Sequence, residues 1–133
     1  MNKLVYILII ISFALAEPVS NDIALNVAKN TFIRYHQSKN IENFKIKNID
    51  ILSSDNIPLI YIFQLQPKGF IMISANNKAT PVLAYGFESN FKLDQMPSNL
   101  SYIINYYKEG INSLRLSCSF LNENITETNI YTY

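Results

Sequence analysis

A helix, three to four antiparallel strands and a second helix form the predicted architecture of this chain, an α+β domain with an N-terminal and a C-terminal helix packed on one sheet. Three observations predict it. From Asn21 to Ser38 apolar residues recur at intervals of three and four; from Phe44 to Tyr85 they alternate or cluster in short blocks between turn residues; from Asn99 to Leu116 the helical spacing returns.

Asn21 or Asp22 is the expected cap of the first helix, whose face carries Ala24, Val27, Ala28, Thr31, Phe32 and Tyr35. Arg34, Gln37 and Lys39 fall on or beyond its last turn, where positive charge suits the helix dipole. His36 belongs to the same end. Phe44 to Leu52 alternates with a slip of phase at Asn48, the mark of a strand with a bulge. After the turn cluster Ser53 to Pro58, Leu59 to Gln66 places Leu59, Tyr61, Phe63 and Leu65 on one side and Ile60, Ile62 and Gln64 on the other. Both faces are apolar, which predicts a central strand. Gln66-Pro67-Lys68-Gly69 then turns the chain into Phe70 to Ile73, antiparallel to the strand before. Asn76-Asn77-Lys78 supplies the next turn, since asparagine bonds its own main chain, and Pro81, lacking an amide donor, precedes the strand Val82 to Tyr85.

The loop Glu88 to Ser98 leads into the second helix, with Leu100, Ile103, Ile104, Tyr107, Ile111 and Leu114 as its apolar stripe and Gly110 weakening its middle by ~1 kcal/mol relative to alanine. Ser117 to Tyr133 is polar and shows no period; it reads as a tail or a linker cut short. Residues 1–16 differ from everything after them. Lys3 is their only charge, Leu4 to Leu15 is almost wholly apolar, and Ala14-Leu15-Ala16 is a cleavage pattern, so the segment reads as a signal peptide cut after Ala16. The apolar run falls short of the ~20 residues that span a bilayer. The organisation expected is therefore 1–16 signal, 17–116 domain and 117–133 tail, in a protein secreted or delivered to a periplasm and free of the membrane after cleavage.

A formal charge of +1 gives no global field that would draw the chain to nucleic acid. Cys118 is the only cysteine, so no internal disulfide braces the fold. Catalysis has little to work with. The one cysteine and one histidine, Cys118 and His36, are the sole nucleophile–base pairing an enzyme reading could use, and neither has a Gly-rich oxyanion loop beside it. No metal motif and no phosphate loop occurs, so no metal and no cofactor is expected. The sequons Asn99-Leu100-Ser101 and Asn124-Ile125-Thr126 are short enough to arise by chance. What is left is a domain that binds.

Five stretches carry a more specific signal: Gly69-Phe70-Ile71-Met72-Ile73-Ser74-Ala75, Lys78-Ala79-Thr80-Pro81-Val82-Leu83-Ala84-Tyr85, Asn90-Phe91, Met96-Pro97-Ser98-Asn99-Leu100 and Tyr106-Tyr107-Lys108-Glu109-Gly110-Ile111. In this order and at these intervals they resemble the propeptide of streptopain-type bacterial cysteine peptidases, a module that also occurs as a separate Spi protease inhibitor. The likeness runs from about Ile23 to Ile111 and departs from the family at Asn76-Asn77, where an acidic residue is usual.

The resemblance implies inhibition of a streptopain-type cysteine peptidase by displacement of its catalytic histidine. By motif match it implicates Asn99, with Pro97, Ser98 and Tyr102 as neighbouring contacts. Two readings of Asn99 coexist, a blocking amide or the cap of the second helix. Tyr102 belongs either to the contact surface or to the core. Phe70, Ile73 and Tyr85 are assigned to packing. The peptidase's own Gly-Cys and Gly-His motifs do not occur, so the chain reads as a stand-alone inhibitor, as a propeptide separated from its enzyme, or, were the resemblance one of fold alone, as an exported binding domain.

Overall fold

The computed structural model describes residues 18–128, with side chains through Ser117. The expected signal segment, its cleavage point and the thiol of Cys118 lie outside the described residues. Helix α1 spans Asn21–Tyr35, strands β1 to β4 span Ile46–Ser54, Ile57–Leu65, Phe70–Ser74 and Val82–Gly86, and helix α2 spans Ser98–Thr128, with a short 3-10 turn at Ile41–Asn43. The four strands form one antiparallel sheet in the order β1-β2-β3-β4, leaving β1 and β4 as its edges.

Strand β2 is the centre of the molecule, buried from Leu59 to Phe63 and again at Leu65. On one face Tyr61, Phe63 and Leu65 join Ile71 and Ile73 of β3 beneath Ala24, Ala28 and Phe32 of α1. On the other, Ile60 and Ile62 join Met72, Phe91, and Ile104 and Ile111 of α2. The two helices therefore cover opposite faces, a sandwich of helix, sheet and helix. Leu59, expected beside Tyr61, lies in the second cluster instead. The register explains it: Ile60 faces Leu52 and Pro58 faces Ser53, so Leu59 is the extra residue of a bulge and the alternation breaks there. A second irregularity between Ile46 and Asn48 is the slip visible in the sequence.

Local chemistry sets the element ends. Ser20, one residue ahead of the expected caps, accepts a 3.4 Å bond from the Ile23 amide at the start of α1. The helix stops at Tyr35, short of Ser38, because His36 becomes extended. Its ring stacks on Phe32 at 4.2 Å while Nδ1 accepts from the Ser38 amide at 3.2 Å. Asp55 and Asn56, both in the left-handed region, make the two-residue turn of the β1–β2 hairpin. Asn76 Oδ1 accepts from the Lys78 amide at 2.8 Å, as a turn asparagine does. An aspartate would offer the same acceptor.

Helix α2 outruns its sequence reading by twelve residues, continuing from Leu116 to Thr128. Its stripe is also narrower than expected. Ile104 and Ile111 are buried, while Ile103 and Leu114 lie at the exposed margins. Tyr85, assigned to packing, is 43% exposed and stacks on Tyr35 at 4.8 Å over the outer edge of the sheet.

Gly69 sits where the β2–β3 turn meets the end of β4. Its φ is +113°, and a Cβ there would lie 2.9 Å from the Gly86 carbonyl oxygen. Both the backbone conformation and the space demand glycine. Gly69→Ala is expected to destabilise the fold by about 2 kcal/mol or more, read as a lower urea midpoint with an unchanged slope.

Candidate functional site

The beginning of α2 is held by the segment that precedes it. Gln64, projecting from β2 on the α2 side, donates through Nε2 to the Phe91 carbonyl at 2.8 Å and to Asp50 Oδ2 at 3.0 Å. Asn90 Oδ1 accepts from the Gly69 amide at 3.2 Å. Phe91 is 6% exposed and packs on Phe70, ring centroids 5.3 Å apart, and Leu93 and Met96 are half-buried against the same core. Beside this loop Lys68 bonds Glu88 at 2.6 Å, and that hydrogen bond and charge hold the Glu88 carboxyl below the usual carboxylate range. The Asn90-Phe91 pair of the sequence is thus one cap and one plug, and together they fix the approach to Pro97.

Pro97 occupies the cap position. Its carbonyl accepts from the Leu100 amide at 3.0 Å and from the Ser101 amide at 2.9 Å. Ser98 is the first helical residue and Asn99 the second, so Asn99 is not the cap, which corrects one of its two sequence readings. Proline reaches that place because the cap carbonyl, not its amide, serves the first turn, and proline retains the carbonyl. Asn99 Oδ1 accepts only from the adjacent Leu100 amide, at 2.9 Å, and its Nδ2 has no partner among the described residues. Two N–H donors are therefore free to meet an external acceptor. No acidic residue stands in the first turn, where negative charge would complement the helix dipole.

Pro97, Ser98 and Asn99 are all exposed, and Tyr102 is 72% exposed. The structure places these four residues at the cap and in the first turns of one helix, and Tyr102 lies on the surface rather than in the core. The sequence reading missed how far the patch extends. Tyr106 is 66% exposed, and Tyr102, Tyr106 and Gly110 follow one another at steps of four along one side of α2. That spacing was a signal in the sequence, overshadowed by the buried stripe next to it.

His36 is packed at the end of α1, and its pairing with Cys118 lies outside the described residues. Its ring is stacked on Phe32 and meets the Phe87 ring edge-on at 5.1 Å, and Nδ1 is engaged by the backbone. Because Asn99 makes only one local bond and caps nothing else, Asn99→Ala is expected to change stability by less than about 0.5 kcal/mol, against the ~1 kcal/mol of a lost cap, as measured by chemical denaturation.

No curated protein and no solved structure matches the chain. A family model described as Spi protease inhibitor matches residues 16–111, well over half of the sequence. The matched span takes in α1, the whole sheet, the anchored loop and α2 as far as Ile111. The chain belongs to the Spi protease inhibitor family.

Proposed function

We propose that this protein is an exported inhibitor of a streptopain-type cysteine peptidase, and that it acts by drawing the peptidase's catalytic histidine out of line with its cysteine. The observation that carries the reading is the state of Asn99, an exposed amide on an anchored helix end with both Nδ2 donors unused among the described residues. A neutral imidazole has one nitrogen acceptor, and an amide N–H is a suitable donor to it. An imidazole held by Asn99 cannot at the same time serve as the base of a cysteine nucleophile.

Rigidity favours this role. The amide stands two residues after Pro97 on a segment fixed by Gln64, Asn90 and Phe91, so little ordering entropy is lost on docking. Pro97, Ser98 and Tyr102 flank it and supply the surrounding contact, with Tyr102 as the aromatic anchor. Export rests on the apolar run Leu4 to Leu15 and the small residues around Ala16. Export would place inhibitor and peptidase in the same compartment.

Titration of the purified protein into an active mature streptopain-type peptidase tests the reading. Stoichiometric loss of activity is expected. Asn99→Ala should then raise the inhibition constant by about tenfold or more while leaving the thermal midpoint in place. Unchanged inhibition by that variant would remove Asn99 from the blocking role, and failure of the unaltered protein to inhibit would overturn the peptidase assignment.

A further inference from the structure

We infer that the groove between α2 and the β3–β4 connection is a second docking subsite for the peptidase, receiving a surface segment of the enzyme that presents a bulky apolar side chain. This inference rests on the inhibitor reading above. The groove has a volume of about 550 Å³ and is formed by Ala79 and Leu83 on the sheet side and by Tyr106, Tyr107, Gly110 and Leu114 on the helix side. Its surface is mostly apolar, with Lys78, Thr80, Glu109 and Ser113 as its polar margin. The Tyr107 hydroxyl donates to the Leu83 carbonyl at 3.3 Å.

Continuity with the Asn99 patch assigns the occupant. Asn99, Tyr102, Tyr106 and Gly110 fall within about 80° of one another around the same helix, and the rise from Asn99 to Gly110 is about 17 Å. A standard interface covers about 800 Å² on each partner, enough to span both ends of that stripe at once. A peptidase seated on Asn99 and Tyr102 therefore has Tyr106 and the groove beneath its next surface. The banks are complementary to a polar rim around the apolar insert: Lys78 on one side and Glu109 on the other have no ion pair among the described residues.

Gly110 gives the independent observation. A glycine in the interior of a helix is justified within a fold by a close neighbour or an unusual backbone, and here neither exists. A Cβ at this position would meet nothing within 4 Å, and the residue has ordinary helical geometry. The fold gains nothing from its missing side chain. A partner that approaches the helix backbone at the groove does.

Gly110→Leu and Gly110→Ala, each compared with the unaltered protein in the same peptidase titration and in thermal melting, test the inference. Both variants should melt at or above the original midpoint, Gly110→Ala by about 4 °C. Gly110→Leu should raise the inhibition constant about 30-fold or more by filling the groove, with Gly110→Ala between it and the parent. Inhibition by Gly110→Leu within threefold of the parent overturns the subsite and leaves the Asn99 reading standing; no inhibition by the parent overturns both. Sedimentation of the protein alone separates the other occupant. A dimer that Gly110→Leu converts to monomer would assign the groove to a second copy of the chain and overturn the peptidase assignment.

Discussion

Everything in this molecule depends on a strand with no exposed face. From Leu59 to Leu65 nearly every side chain of β2 is out of water, and burying residues such as Phe63, Ile60 and Ile62 contributes roughly 1.5–3 kcal/mol apiece. A strand of this kind cannot be covered from one side. It requires a layer on each face, which is why α1 and α2 lie on opposite sides of the sheet although no disulfide holds either in place. The single polar intrusion in the strand is Gln64, and its amide is used to secure the chain leading to α2.

That use of Gln64 links the core to the exposed amide. The loop after β4 could have been a free tether; instead three side chains tie it to the core within a few residues of the exposed amide. Asn99 is accordingly mounted on a rigid scaffold while remaining solvent-facing itself, the combination that its proposed role needs. The aromatic residues follow the same division. Phe63, Phe91 and Phe32 fill the interior, whereas Tyr102 and Tyr106 remain outside on the helix that begins at Pro97.

Strand order, hairpin turns and the centrality of β2 were legible in the sequence because each depends on local residue chemistry: alternation for the strands, Asp55-Asn56 and Asn76 for the turns, Pro81 for a strand start. The choice of faces by the two helices was not legible, since both present apolar stripes and both faces of β2 are apolar. The cap of α1 fell at Ser20 rather than Asn21 or Asp22 because several good capping residues stood side by side and only tertiary placement selects among them. At α2 the error had a different origin. Asn99 looks like a cap by composition, yet Pro97 supplies the cap with its carbonyl alone, a role that side-chain preferences do not register. The candidate residues were found by family resemblance, their exposure and the length of the stripe by the fold. The helical continuation past Leu116 had no amphipathic period to announce it.

The outer edge of the sheet has a further meaning in a protease-inhibitor family. Peptidases engage their substrates as extended chain, so a bare edge strand is an invitation to be cut. On β4 the register shifts opposite Met72 and Ile73, the Leu83 carbonyl is taken by the Tyr107 hydroxyl, and Tyr35 lies flat across Tyr85. These features interrupt the row of backbone groups that a cleft would grip. In a member of a protease-inhibitor family, an edge interrupted in this way offers a cleft less extended backbone to grip.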